Sequence, residues 1–130
     1  MKEVYEFLKT SKVFYLATID NDKPRVRPFG ALNIFEDKLY IQTGKVKSVS
    51  KQMEINSNVE ICSMNNGKWI RIEAKVVSDD RMDAKISMLD NNPELKSMYK
   101  ADDPNTEVLY LTNVKATIYS FTESPKVIEF

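Results

Sequence analysis

Val59-Glu60-Ile61-Cys62-Ser63-Met64, then Asn65-Asn66-Gly67-Lys68, then Trp69-Ile70-Arg71-Ile72-Glu73-Ala74-Lys75-Val76-Val77, reads as two strands joined by a tight turn. Asn-Gly inside a four-residue polar break is a strong hairpin signal, because both residues tolerate the positive φ that a two-residue turn demands. In the second arm Trp69, Arg71 and Glu73 fall on one face, and Ile70, Ile72 and Ala74 on the other. That period of two is the mark of a strand with one buried side.

Upstream, Val13 to Ile19 is rich in β-branched and aromatic residues and reads as a strand. Asn21-Asp22-Lys23-Pro24 supplies turn chemistry, and Arg25 to Phe35 reads as a second strand, so the pair forms a hairpin. Glu36-Asp37-Lys38 is the next turn, and Leu39 to Thr43 a third strand ended by Gly44. Downstream, Glu107 to Phe121 is a last long strand.

Helices punctuate this series. Val4, Phe7 and Leu8 sit at i, i+3 and i+4, the spacing of a short amphipathic helix. Val46, Val49, Gln52 and Met53 predict a helix from about Val46 to Ile55. Asp79-Asp80 can cap another running to about Leu89, with Met82, Ile86 and Leu89 on one side. Pro93 to Tyr99 reads as a short helix.

The count is about six strands, with helices inserted after the third and the fifth. Sequential antiparallel strands of this number tend to close into a barrel to remove their edges, although a sandwich would give a similar pattern. The expected class is mainly β with added helices, in one domain over residues 1–130.

Composition narrows the functional classes. The 19 basic and 19 acidic residues cancel, which argues against a nucleic-acid binder or an anionic-membrane binder. Met1 to Thr10 mixes charged and apolar residues, so no secretory leader is expected, and no apolar run approaches membrane-span length. Cys62 is the only cysteine, which suits a reducing cytoplasm. On a strand it reads as a small buried hydrophobe, with no histidine to activate it as a nucleophile. The chain has no histidine at all, which removes His-based triads, His-ligated metal sites and the commonest general base. Hard chemistry on this chain calls for a cofactor.

The segment best suited to hold one is Thr43-Gly44-Lys45-Val46-Lys47-Ser48-Val49-Ser50-Lys51-Gln52, where a strand runs into a helix. Helix N-termini offer unpaired N–H groups and a partial positive charge. Lys47 and Lys51 share one helical face, and Lys45, Ser48 and Ser50 add cations and hydroxyls. Such a set suits a phosphate, though a solvated lysine face has the same composition. It is not a P-loop, lacking G-x-x-x-x-G-K-[ST]. Arg25 and Arg27 alternate onto one strand face, where an anion or solvent must meet them. Trp69, the only tryptophan, can wall a flat ring or pack in a core or interface.

These segments in this order resemble the pyridoxamine 5′-phosphate oxidase-like FMN-binding split barrels, in their short single-domain bacterial form. The resemblance runs from the first helix to the last strand. It is carried by Val13 to Thr18, Arg25 to Gly30, Leu39 to Gly44, Lys47 to Gln52, Asn56 to Cys62 and Trp69 to Ala74. It implies an antiparallel split β-barrel and a homodimer with two FMN sites at the subunit interface. It places Arg27, Pro28 and Phe29 along the flavin, and Gln42 and Thr43 beside the ring and ribityl chain. Lys47, Ser48 and Lys51 match the phosphate-binding segment, and Trp69 a position that reaches the flavin. No side chain is assigned a catalytic role.

Three departures stand out: Asn56-Ser57 where the family has Asn-Pro, Ala74 where a glycine is common, and the missing histidine of nitroimidazole-reducing relatives. The basic C-terminal residues of the longer oxidases are also absent from Ser124 to Phe130. The resemblance implies an FMN-dependent oxidoreductase with a small-molecule electron donor or acceptor. The alternative is a non-catalytic FMN-binding electron carrier, flavin buffer or redox sensor. Related barrels hold haem or a deazaflavin, and haem is disfavoured by the lack of histidine.

Overall fold

The computed structural model describes all 130 residues. In chain order it has α1 (Lys2–Ser11), β1 (Phe14–Asp20), β2 (Lys23–Phe29), β3 (Leu32–Phe35), β4 (Lys38–Gly44) and α2 (Ser48–Ile55). Then follow β5 (Asn58–Asn65), β6 (Lys68–Asp79), α3 (Met82–Asn91), a 3-10 turn (Pro93–Ser97), β7 (Thr106–Tyr119) and β8 (Lys126–Glu129). Every strand pairing is antiparallel, in the order β2-β1-β5-β6-β7-β4-β3, with β8 added to β7.

The expected split barrel is present, and it is not closed: β2 and β3 end the sheet without pairing to each other. The single strand expected over Arg25 to Phe35 is two. The chain breaks at Gly30-Ala31 and crosses from one end of the sheet to the other. Pro24 and Pro28 lie in β2, an edge strand, where a missing N–H costs no ladder bond. β8, the eighth strand, is short and almost wholly exposed, so it carries no alternating pattern to read.

The hairpin of β5 and β6 forms with Asn66 and Gly67 at φ 51° and 74°, as the Asn-Gly pair predicts. Register then fixes which side chains enter the barrel. Leu16, Ile61, Ile72 and Ala116 lie abreast across four strands, all fully buried. Burying one such Leu or Ile contributes about 1.5–3 kcal/mol. Val4 and Leu8 of α1, and Val49 and Met53 of α2, join the same core. Ala74 is buried at a bulge between β6 and β7.

Two helix expectations need correction. Val46 is exposed and precedes α2, which starts at Ser48 with Lys47 as its N-cap residue. α3 is preceded by Arg81 at its N-cap and buries Ala84, Lys85, Met88 and Leu89. Met82 and Ile86, expected on the inner face, are exposed, because Ala84 and Met88 pack instead on Tyr40 and Val108 outside the barrel.

Candidate functional site

The split creates a cavity of about 220 Å³. Its walls come from Arg27, Pro28 and Phe29 of β2, the Gly30-Ala31 crossing, Gln42 and Thr43 of β4, Lys47 and Val49 at the start of α2, and Leu95, Met98 and Tyr99 beside the 3-10 turn. Six residues singled out from the sequence (Arg27, Pro28, Phe29, Gln42, Thr43 and Lys47) therefore meet at one place. They come from segments up to 20 positions apart, brought together because β2 ends the sheet on one side of the opening, and on the other β4 runs past its last pairing with β3 at Ile41, leaving Gln42 and Thr43 beside the gap.

Gln42 and Thr43 are buried, at 6% and 4% exposure. Gln42 pairs with Val108 of β7 and so faces outward from the barrel, on the same side as Tyr40. α3 covers Tyr40 through Ala84 and Met88. Neither Nε2 nor Oε1 of Gln42 has a hydrogen-bond partner. A buried amide left unpaired costs about 1–3 kcal/mol, so a donor-and-acceptor pair is wanted here.

Arg27 is held inside this wall by neutral groups. Its Nη1 donates to Thr18 Oγ1 at 2.7 Å and to the Leu16 carbonyl at 3.3 Å, and its Nη2 donates to Gln52 Oε1 at 2.7 Å. Arg25 next to it is paired with Asp20 at 3.1 Å, whereas no carboxylate pairs with Arg27. Desolvation, and then the charge of Arg25, hold the Arg27 guanidinium below its ordinary pKa. A half-buried cation in this state is stabilised by an anion from outside. Lys47 stands exposed on the same cavity, where α2 begins without a side-chain cap. The backbone N–H groups of Ser48 and Val49 find no backbone acceptor, as expected in a first helical turn. One end of the cavity is thus cationic, one wall carries an orphan amide, and Phe29, Val49 and Leu95 supply apolar surface.

Ser48, Lys51 and Trp69 do not line this cavity within one chain. Ser48 and Lys51 sit on the exposed side of α2. Trp69 lies on β6, stacked on Tyr119 with ring centroids 5.4 Å apart and 12° between planes, and 5.2 Å from Phe121. Tyr15 of β1, Val26 of β2, Met64 of β5 and Phe121 in the loop after β7 are exposed, Phe121 at 82%. Cys62, expected to be buried, is exposed as well, because it pairs with Tyr15 on the outward face of β5. Sequence reasoning missed Leu95, Met98 and Tyr99, which carry no pattern of their own, and the partners of Arg27, Thr18 and Gln52.

A family model described as pyridoxamine 5′-phosphate oxidase matches residues 1–118. No curated protein matches. The chain is similar to a solved NimC/NimA family protein from Clostridium acetobutylicum, at 46% identity over 100% of this chain and 92% of that one, with a TM-score of 0.98. It shares its fold with a pyridoxamine 5′-phosphate oxidase-related, FMN binding protein from Nostoc punctiforme, at 16% identity, 96% and 90% coverage and a TM-score of 0.66. The heme storage protein HutZ of Vibrio cholerae has the same fold at 16% identity, 85% and 87% coverage and a TM-score of 0.66.

Proposed function

The chain belongs to the pyridoxamine 5′-phosphate oxidase family, and from that premise we propose that it is an FMN-binding flavoprotein acting as an FMN-dependent oxidoreductase. The observation that carries this reading is the pairing, around one cavity, of two cations without carboxylate partners at the site, Arg27 and Lys47, with the orphan amide of Gln42. A phosphate ester joined to a flat heterocycle satisfies both ends at once.

In this reading Lys47, the free N–H groups of Ser48 and Val49 and the Ser48 hydroxyl take the phosphate, with Lys51 one turn on adding positive potential. Gln42 and Thr43 meet the ring and ribityl chain, and Pro28 and Phe29 give the ring an apolar wall. FMN, when bound, supplies the electron-accepting chemistry, and the residues bind it, orient it and exclude water.

The cavity of about 220 Å³ lies below the ~300–1,000 Å³ usual for a cofactor-sized pocket. That supports a site completed by a second copy of the chain. The outward face bearing Tyr15, Met64, Trp69 and Phe121 offers apolar surface for such a homodimer, in which Trp69 would reach the flavin of the partner. The electron donor or acceptor would be a small molecule.

A second reading, a non-catalytic flavin carrier or sensor, is favoured by one feature: no Asp, Glu, His or Cys lines the cavity to move a proton. The visible spectrum of the purified protein, before and after adding FMN and beside a Lys47→Ala/Lys51→Ala variant, tests the main reading. Flavin bands that shift on binding and weaken in the variant support it; no binding at micromolar FMN overturns it. Steady NAD(P)H oxidation by the loaded protein separates enzyme from carrier.

A further inference from the structure

Arg27 is anchored by a closed triangle of polar groups. Its Nη1 and Nη2, the end-on edge of the guanidinium, donate to Thr18 Oγ1 and Gln52 Oε1, each at 2.7 Å. The third side is the Thr18 hydroxyl, which donates to the same Gln52 Oε1 at 2.6 Å. Thr18 is 2% exposed, and Gln52 is half-buried on α2, so neither partner is a loose surface group. A guanidinium has five N–H bonds arranged as two forks. With the end-on fork taken up, the side-on fork remains: Nε–H, which has no acceptor in the chain, and the second hydrogen of Nη2.

The chemistry of the anchors matters as much as their position. A carboxylate would orient Arg27 equally well but would cancel its charge. A hydroxyl and an amide fix the plane and leave the full charge available, on a side chain that shares its cavity with Lys47. Bidentate donation of this kind is the geometry that matches phosphate and carboxylate oxygens.

We propose that Gln52 and Thr18 are positioning residues that set the plane of Arg27, so that its side-on fork meets two oxygens of a phosphate ester lodged beside Lys47. This rests on the FMN reading above. It adds that the segment opening α2 contributes twice to binding: directly through the N-cap Lys47 and Ser48, and indirectly through Gln52, which never touches the ligand.

A double-mutant cycle on the full chain, with FMN affinity measured by quenching of flavin fluorescence, tests it. Gln52→Leu and Thr18→Val are each expected to weaken FMN binding by about 10- to 100-fold, the worth of a charge-assisted hydrogen bond. In an Arg27→Ala background Gln52→Leu is expected to have no further effect, because no fork is left to orient. Thr18→Ser, which keeps the hydroxyl, restores binding to within about threefold of the wild type, a tolerance below one hydrogen bond. Additive losses in Arg27→Ala/Gln52→Leu, or failure of Thr18→Ser to restore binding, mean that the triangle only ties the β1–β2 hairpin to α2, and overturn the proposal. If the wild-type chain binds no FMN, the proposed function falls, before any variant is compared, and the positioning role for a phosphate ester falls with it.

Discussion

The Tyr40 hydroxyl donates to Asp79 at 2.7 Å, and Arg81 closes this pair from the solvent side. The Arg81 guanidinium also grips both carboxylate oxygens of Glu36 at 3.0 Å, joining the β3–β4 turn to the start of α3. The network stands at the mouth of the small cluster that α3 makes with Tyr40 and Val108.

Acid stability is expected to depend on Asp79. Hydrogen bonds from Arg81, and then from Tyr40, outweigh its desolvation and hold its pKa at about 2. A carboxylate depressed in the folded state adds stability that is complete above its unfolded value, about 3.9, and is lost as pH falls toward 2. Urea midpoints measured from pH 6 down to pH 2.5 should show this loss, about 1–2 kcal/mol after allowing for the exposure of Arg81. Asp79→Asn should remove that part of the slope.

Alkaline titration should single out Tyr40. Burial first, and then the bond to Asp79, push its phenol up to about 12. Stability from the neutral phenol is complete below the ordinary value near 10 and is lost as pH rises through 12. Tyrosinate absorbance should show one of the six tyrosines ionising late, and Tyr40→Phe should delete that step.

Gln42→Leu should move two measurements in opposite directions. Replacing an unpaired buried amide with an apolar group of similar size should stabilise the ligand-free protein by about 1 kcal/mol. FMN binding should weaken by about tenfold, the loss of one hydrogen-bonded pair. Melting temperatures with and without FMN check both.

Lys47 and Lys51 should separate. Lys47 lines the cavity and Lys51 does not. Lys47→Ala is therefore expected to weaken FMN binding by about tenfold, and Lys51→Ala by about twofold or less, as for a screened surface charge. Isothermal titration at two salt concentrations checks this.

Met64→Glu should test the homodimer. Met64 is 63% exposed on the outward face of β5. A carboxylate buried there without a partner would cost several kcal/mol of association. On the proposed homodimer, sedimentation should give half the wild-type mass, with FMN affinity falling in parallel because the second copy would complete the site.

The hairpin of β5 and β6, the helix at Val4 and the strand ending at Gly44 were legible in the sequence because each rests on local chemistry. Alternation, an Asn-Gly pair and a helical period operate within a few residues. The cationic start of α2 was legible for the same reason, and the family pattern extended the reading to Gln42, Thr43 and Arg27. The break at Gly30-Ala31 was not, since it exists only because β2 and β3 belong to opposite ends of the sheet. The inner face of α3 was misread because Ala84 and Met88 were selected by Tyr40 and Val108, which lie far away in sequence. What sequence alone determined was the antiparallel class and the cationic segment that opens α2. Only the tertiary structure decided which cations share a cavity, that Gln42 is buried without a partner, and that Arg27 is anchored by Thr18 and Gln52. Those relations join residues 9 to 66 positions apart, and their energies depend on burial and register that no local pattern encodes.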